Sequence, residues 1–462
     1  MGGIITTGNN NVIGDHNIVT ITYQGAQVTI PSPDAVAAHR QALRQWLVDR
    51  ARGRWGEMSA YIQEEGAALP LEASPYDQGR LGARENLLST LHSADRLLVL
   101  GEPGAGKTVA LERLAWELCD GPEPVIPVLI SLSSYAGTPL VEWVWSEIND
   151  MGCLRLENSN ALSAFLNAND APARCLFLFD GLNEVAPSYR DRLIDELVRW
   201  IKGYHVRHPV ICTSRSQDES WRRLRNKNEM PAVVLQPISH SQAEGYLTAY
   251  LGKEKGPALY AKLDERLRIM AQRPLALWLI KAAGEAGKSI PGNRGELYDR
   301  FVSGILDRDA KRFMGVDIPD PLKLKALAEL AYALGLDQRV FCSREEAISI
   351  VAKCMAPDKA RSVIEACLRH GLLVEEGTIA FAPHQTVQEY FAAEALLERW
   401  NQEQRERGLK RVLRTVMRKP DVLRLAAQDW WMETFVQLAG LCEDADGLAL
   451  AVLGVNPWLA LW

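Results

Sequence analysis

The chain has 462 residues, more than one hydrophobic core usually carries, so roughly two to four domains are expected. Apolar residues make up 47% and charged residues 24%, an ordinary globular balance that excludes a disordered or fibrous chain. The net charge of −6 argues against bulk binding to nucleic acid or to an anionic membrane, a local basic groove excepted.

Residues 1–31 favour strands and turns. The stretch "GNNNVIGDHNIV" is rich in asparagine, has Gly8 and Gly14 six residues apart, and carries β-branched pairs at Val12, Ile13 and Ile18, Val19. If identical copies stacked, Asn9, Asn10, Asn11 and Asn17 would form ladders, and the valines and isoleucines would interdigitate in a dry layer. Gly8 and Gly14 would permit turns between short rungs, and only Asp15 and a protonated His16 would oppose the stacking. Self-assembly through Gly8, Asn11, Ile13, Gly14, Asn17 and Val19 stands beside a plainer reading, a β-arch or strand pair docked on the domain that follows.

Residues 32–79 read as a helical linker. A helix is expected through "SPDAVAAHRQALRQWLVDRARGRWGEMSAYIQEE", starting near Ser32 or Asp34, with Pro70 and Pro75 breaking the segment after it. Over residues 80–236 the text alternates. The apolar runs "RLLVL" (96–100), "VIPVLISL" (125–132), "CLFLFD" (175–180), "VICTS" (210–214) and "AVVL" (232–235) are separated by helical stretches. That alternation predicts an α/β domain with a doubly wound parallel sheet covered on both faces.

The chemistry-bearing residues lie on this sheet. Gly101, Glu102, Pro103, Gly104, Ala105, Gly106, Lys107 and Thr108 form G-x-x-x-x-G-K-[ST] between an apolar strand and an amphipathic helix that continues through Val109. This is the context a phosphate-binding P-loop requires. The glycines let backbone N–H groups face a phosphate, and the helix adds its positive end. Lys107 would neutralise the β/γ-phosphates of ATP, and the Thr108 hydroxyl would hold Mg²⁺. In "CLFLFDGLNE" a buried strand delivers Asp180 to the sheet edge, where it would hold Mg²⁺ through water. Glu184 would act as general base on the attacking water. The alternative, acids merely solvating a loop, is disfavoured because an acid ending a buried strand needs a partner. Arg215, at the end of "VICTSR", reaches the same rim and either reports on a γ-phosphate or is an ordinary surface arginine.

Residues 237–316 read as a helical domain and residues 317–394 as a winged helix. Ser343 and Glu346 suggest a capping box, Gly371 a helix C-terminal residue, and "LLVEEGTIAFA" a hairpin turning near Gly377. Such folds often bind DNA, but Glu375 and Glu376 on the wing repel phosphate. Residues 395–462 read as helical and stop on an apolar phrase, as at the start of a repeat or sensor array that is short or cut away.

Taken together, the stretches resemble the NACHT family of signal-transduction ATPases, which groups animal NOD-like receptors with bacterial immune proteins. "GEPGAGKT" is its Walker A, "LFLFDGLNE" is similar to its D-G-x-D-E Walker B, and "TSR" to its sensor 1. "LQPISHSQAEGYL", "MAQRPLALWLI", "NRGELYDRFV" and "FAPHQTVQEYFAAEAL" are similar to its later segments. The resemblance implies that Pro274 touches adenine and that His384 reaches the β-phosphate of bound ADP. Two departures stand out: Asn183 replaces the second acid of Walker B, and Arg273 stands where the family often has asparagine. "IGDHNIV" resembles the core of the homotypic motif of necroptosis kinases and the amyloid signalling sequences that precede bacterial and fungal NOD-like receptors.

The resemblance implies a slow ATPase serving an ATP/ADP-gated oligomerisation switch, in antiphage defence, that clusters an N-terminal amyloid-like motif. Its partners would be other copies of itself, with a downstream effector carrying a matching motif as a further candidate. The rivals are an NTPase remodeller and an ATP-dependent winged-helix transcription regulator. A cytoplasmic location is expected. No stretch has the length of a membrane span, and no charged start precedes an apolar block. None of the eight cysteines forms a C-x-x-C pair, which suggests reduced, buried thiols without zinc.

Overall fold

The computed structural model describes residues 5–7, 10–15, 18–23, 26–55, 69–77, 80–150, 154, 156–168, 171, 173–216, 218–228, 230–285, 292–312, 318–382, 384–412 and 421–461. The chain divides into two compact units, Met1–Pro237 and Ile238–Trp462.

The first unit opens with an antiparallel meander of β1 (Ile5–Thr7), β2 (Asn10–Asp15), β3 (Ile18–Tyr23) and β4 (Ala26–Pro31). Ile13 pairs with Thr20 and Gly14 with Val19, while Asn11 pairs with Thr6. Gly8, Asn9, His16 and Asn17 lie outside the described residues. Helix α1 (Pro33–Trp55) follows, and the Ser32 hydroxyl caps it by accepting the Ala35 N–H at 3.1 Å. The remainder of the predicted helix, from residue 56, lies outside the described residues.

The main sheet takes β5 (Glu72–Asp77), β6 (Arg80–Leu81), β7 (Glu85–Asn86), β8 (Arg96–Leu100), β9 (Val125–Ser131), β10 (Arg174–Asp180), β11 (Val210–Ser214) and β12 (Ala232–Leu235). Its order is β6-β5-β12-β8-β11-β10-β9, with β7 paired to β5. All five apolar runs are strands here, and β12, β8, β11, β10 and β9 run parallel. Between them stand α2 (Leu87–Ser93), α3 (Lys107–Asp120), α4 (Leu140–Asp150), α5 (Ser159–Asn167), α6 (Pro187–Tyr204) and α7 (Ser220–Asn228). The α/β class expected from the alternation is the one observed. Helix α1 packs along α3, and β4 lies against α5.

One expectation needs correction. Residues 32–79 are not a helical linker throughout, because β5 joins the sheet antiparallel to β12, with Val233 opposite Pro75. The run "EASPYD" lacks an apolar core, and its proline reads as a break. Pro75 brings no N–H to the ladder but sits near the sheet edge, where that loss is tolerated, and its carbonyl accepts the Gly82 N–H at 2.8 Å.

The centre of the unit is β10, whose residues from Cys175 to Phe179 are buried. Phe177 stacks near Phe179 and meets Trp200 of α6 edge-on at 5.0 Å. Burial pushes the Cys175 thiol up to about 12, so it behaves as a small apolar group. His208 fixes the start of this strand. Its Nδ1 accepts the Cys175 N–H at 2.9 Å, so Nε2 carries the proton and donates to the Leu166 carbonyl of α5 at 3.0 Å.

The second unit is mainly helical: α8 (His240–Leu251), α9 (Lys255–Ala261), α10 (Glu265–Met270), α11 (Pro274–Glu285), α12 (Arg294–Arg312), α13 (Asp320–Leu336), α14 (Arg344–Val351), α15 (Pro357–Arg369), α16 (Gln385–Val412), α17 (Asp421–Leu425), α18 (Met432–Leu441), α19 (Ala445–Leu453) and α20 (Pro457–Ala460). The hairpin is β14 (Leu373–Glu376) and β15 (Thr378–Phe381), turning at Gly377 with φ +75°. A third strand, β13 (Phe341–Cys342), pairs with β15 and was not foreseen, since two residues carry no periodicity. Ser343 accepts the Glu346 N–H, but the Glu346 carboxylate is taken by Arg339, so only half of the expected capping box forms. Arg344 neutralises Glu375 on the hairpin. Among the described residues no helix is long and apolar enough to cross a membrane.

His39 on α1 and His208 are both buried, and burial pushes each down to about 4 from an ordinary 6.5. Above pH 6.5 both are neutral in folded and unfolded chains. As pH falls from 6.5 towards 4, the unfolded chain binds protons that the folded chain refuses, so stability declines, by roughly 3 kcal/mol per histidine. Urea unfolding of the first unit across that window should show the decline. His39→Leu should remove about half of its slope, because among the described residues the His39 Nδ1 has no hydrogen-bond partner to lose.

Candidate functional site

The loop between β8 and α3 wraps back on itself because two of its glycines adopt left-handed backbone, Gly104 at φ +72° and Gly106 at φ +98°. Gly101 is needed for close approach: a Cβ there would lie 3.3 Å from both the Ala105 and Leu235 Cβ atoms. Gly106 is the N-cap of α3 and no side chain caps the helix, so its first N–H groups remain available to a ligand. The Lys107 Nζ turns onto the loop's own carbonyls, donating to Gly101 at 2.9 Å and Glu102 at 3.2 Å. Pro103, Ala105 and Val109 complete the segment, with Gly104 buried and the others partly exposed.

Asp180 ends β10 beside this loop. The Thr108 hydroxyl donates to its Oδ2 at 2.6 Å, and the Thr213 hydroxyl of β11 donates to its Oδ1 at 2.5 Å. Thr213 Oγ1 in turn accepts the Gly181 N–H at 2.8 Å. Gly181 is left-handed at φ +82°, and a Cβ there would stand 2.9 Å from the Glu184 carboxyl group. The absence of that atom lets the Glu184 carboxylate fold back over the strand end. Arg215 follows β11, and its N–H donates to the Asn183 Oδ1 at 2.9 Å. Ser216 donates to Glu102 at 3.3 Å, joining this segment to the loop.

The charges reinforce this picture. Burial, together with the Arg215 guanidinium, pushes Lys107 down to about 8 against the pull of Asp180, Glu184 and Glu102. Lys107, Asp180, Glu184 and Arg215 therefore share one electrostatic neighbourhood. Thr213 and Ser216 were not singled out as site residues. The signal for Thr213 was the hydroxyl within "TSR"; nothing in the sequence gave Asn183 its partner, a backbone N–H. Asn183 is buried and its amide oxygen is committed to Arg215.

Pro274 and His384 belong to the second unit. Pro274 opens α11. His384 precedes α16, where its Nδ1 accepts the Thr386 N–H at 3.1 Å and so acts as the helix cap.

An uncapped helix start, glycines in left-handed backbone, a lysine hydrogen-bonded to loop carbonyls, and a hydroxyl beside a carboxylate fit a phosphate chain with a divalent cation. Thr108 and Asp180 would hold the Mg²⁺. Fold and loop together define an α/β P-loop NTPase domain.

Residues 95–254 match the family model of the NACHT domain. Solved structures are similar at low identity. ORC of Drosophila, bound to DNA, has 15% identity and a TM-score of 0.34 over 66% of this chain and 84% of that one. Cdc6p of Pyrobaculum aerophilum has 16% identity and a TM-score of 0.30 over 64% and 86%. A signal transduction ATPase with numerous domains (STAND) and a tetratricopeptide repeat sensor, from Pyrococcus horikoshii, has 15% identity and a TM-score of 0.37 over 84% and 58%. No curated protein matches the sequence significantly.

An anion on the loop favours the charged lysine, so a group that titrates near 8 must take up a proton when phosphate arrives. Calorimetric titration with ADP at roughly pH 8.5, in two buffers of different ionisation enthalpy, should show net proton uptake. At roughly pH 6.5, where Lys107 is already charged, the uptake should vanish. Buffer-independent heats at the higher pH would place Lys107 away from the phosphates.

Proposed function

We propose that this chain is an ATP/ADP-gated oligomerisation switch of innate-immune, antiphage signalling, which clusters its N-terminal segment. The observation that carries the reading is how Asn183 is used. A second Walker B acid would add charge for hydrolysis, whereas this asparagine bonds to the Arg215 backbone and locks Walker B to the sensor strand. That arrangement favours reading the nucleotide over turning it over quickly, and so favours a switch over a remodeller. Thr108 and Asp180 would hold Mg²⁺, which would supply charge neutralisation on the phosphates. Lys107 holds the β/γ-phosphates, Glu184 takes the proton of the attacking water on its carboxylate, and Arg215 distinguishes tri- from diphosphate. Pro274 meets adenine and His384 donates to the ADP β-phosphate, holding the resting state closed.

Converting a mostly closed population to a mostly open one takes ~5 kcal/mol of differential binding, which ATP, a trigger and contacts between copies share. Assembly then raises the local concentration of residues 1–31, so a weak stacking tendency becomes effective nucleation.

Lys107→Ala should abolish ATP and ADP binding in calorimetry and, with it, assembly and toxicity in cells; a variant that binds no nucleotide yet still assembles on cue rules out the gate. Deleting residues 1–31 should leave nucleotide binding intact and remove fibre formation and killing. A peptide of residues 1–31 should form thioflavin-positive fibres, and its Asn17→Asp version none. If neither peptide forms fibres, the clustering role of this segment falls while the nucleotide gate stands.

A further inference from the structure

Three helices of the second unit converge on the turn that carries His384. The buried Tyr298 of α12 donates its hydroxyl to Thr386 Oγ1 at 2.7 Å. With that oxygen receiving a proton, the Thr386 hydroxyl turns its own towards His384 Nδ1, 3.1 Å away, which also accepts the Thr386 N–H. Both bonds require an unprotonated Nδ1, so the ring proton sits on Nε2. From the other side the fully buried Gln437 of α18 donates to the Thr386 carbonyl at 3.1 Å. Arg294, the first residue of α12, is ion-paired with Glu433 one turn earlier on α18. Backbones of α12 and α18 touch directly: a Cβ on Gly295 would lie 2.7 Å from the Gln437 carbonyl, and one on Gly440 would lie 2.9 Å from the Gly295 nitrogen.

We propose that α18 governs His384, with Gln437 and Thr386 as positioning residues that hold its ring in the Nε2-protonated form. The arrangement behaves as a two-position device. A slide of α18 by two residues' rise, about 3 Å across the 3.1 Å bond, would stretch it to about 4.3 Å and carry Gln437 beyond hydrogen-bonding range of Thr386. The glycines let the two backbones approach this closely, and the Arg294–Glu433 pair holds the register that such a slide would have to break. The Gln437 Oε1 has no donor among the described residues, so the seated position is not the amide's best possible one. Anything that draws α18 away changes the donor that His384 presents, and in the switch proposed above that donor is the hold on ADP. The inference rests on that reading of His384.

The test uses ¹⁵N NMR of the imidazoles in the full chain, with the His384 signals assigned by loss in His384→Gln, together with ADP release rates. The wild type should show the Nε2-protonated tautomer. Gln437→Met and Tyr298→Phe should each mix the tautomers and release ADP about five- to tenfold faster, the worth of roughly one hydrogen bond. Thr386→Ser, which keeps both donors, should resemble the wild type. Should Gln437→Met fail to fold, Glu433→Gln, which weakens the ion pair holding α18 to α12, takes its place with the same expected shift. Altered tautomers with unchanged ADP release would support control by α18 and overturn the role of His384 at the nucleotide. Unchanged His384 signals in the folded variants would overturn the proposal itself.

Discussion

The two oxygens of Asp180 are divided between Thr108 and Thr213, and the first unit is organised around that division. A carboxylate at the end of a buried strand is costly in isolation, and two hydroxyl donors offset the cost. Each donor comes from a different element, the P-loop helix on one side and β11 on the other. One acid therefore fixes the spacing of three elements before any ligand arrives. Thr213 extends the chain by accepting from Gly181, which fixes the turn on which Glu184 folds back.

The lysine beside this arrangement behaves differently. Lys107 satisfies itself on two loop carbonyls and is held below its ordinary range by burial and by Arg215. Two cations crowded together beside a well-bonded acid suit an anionic ligand such as phosphate. The helix start is in place in advance, whereas Lys107 would have to leave the Gly101 and Glu102 carbonyls to reach a phosphate. The second unit handles a buried charge by pairing instead, with Arg294 against Glu433.

Much of the sheet could be read in the sequence, because a parallel strand covered on both faces must be apolar throughout, and runs such as "CLFLFD" satisfy nothing else. The P-loop was equally plain, since its glycines are required by backbone shape. Other features escaped for physical reasons. Strand β5 is polar and contains a proline, and only its pairing with β12 makes it a strand. Glu346 reads as a capping partner but is claimed by Arg339, seven residues earlier and across a turn. Asn183 looked like a weakened acid; its partner is a main-chain N–H 32 residues away, which no side-chain pattern announces. The approach of Gly295 to Gly440 was hidden in the same way, since a glycine inside a helix gives no sign of what crosses it.

The order of the sheet places β11 between β8, which feeds the P-loop, and β10, which ends in Asp180. Arg215 thus follows a strand paired along its whole length with β8, and with β10 as far as Cys212, beyond which the Thr213 hydroxyl makes the link to Asp180. A tug on the connection beyond Ser214 would reach both flanking loop ends at once, the P-loop through the ladder to β8 and Asp180 through the Thr213 hydroxyl.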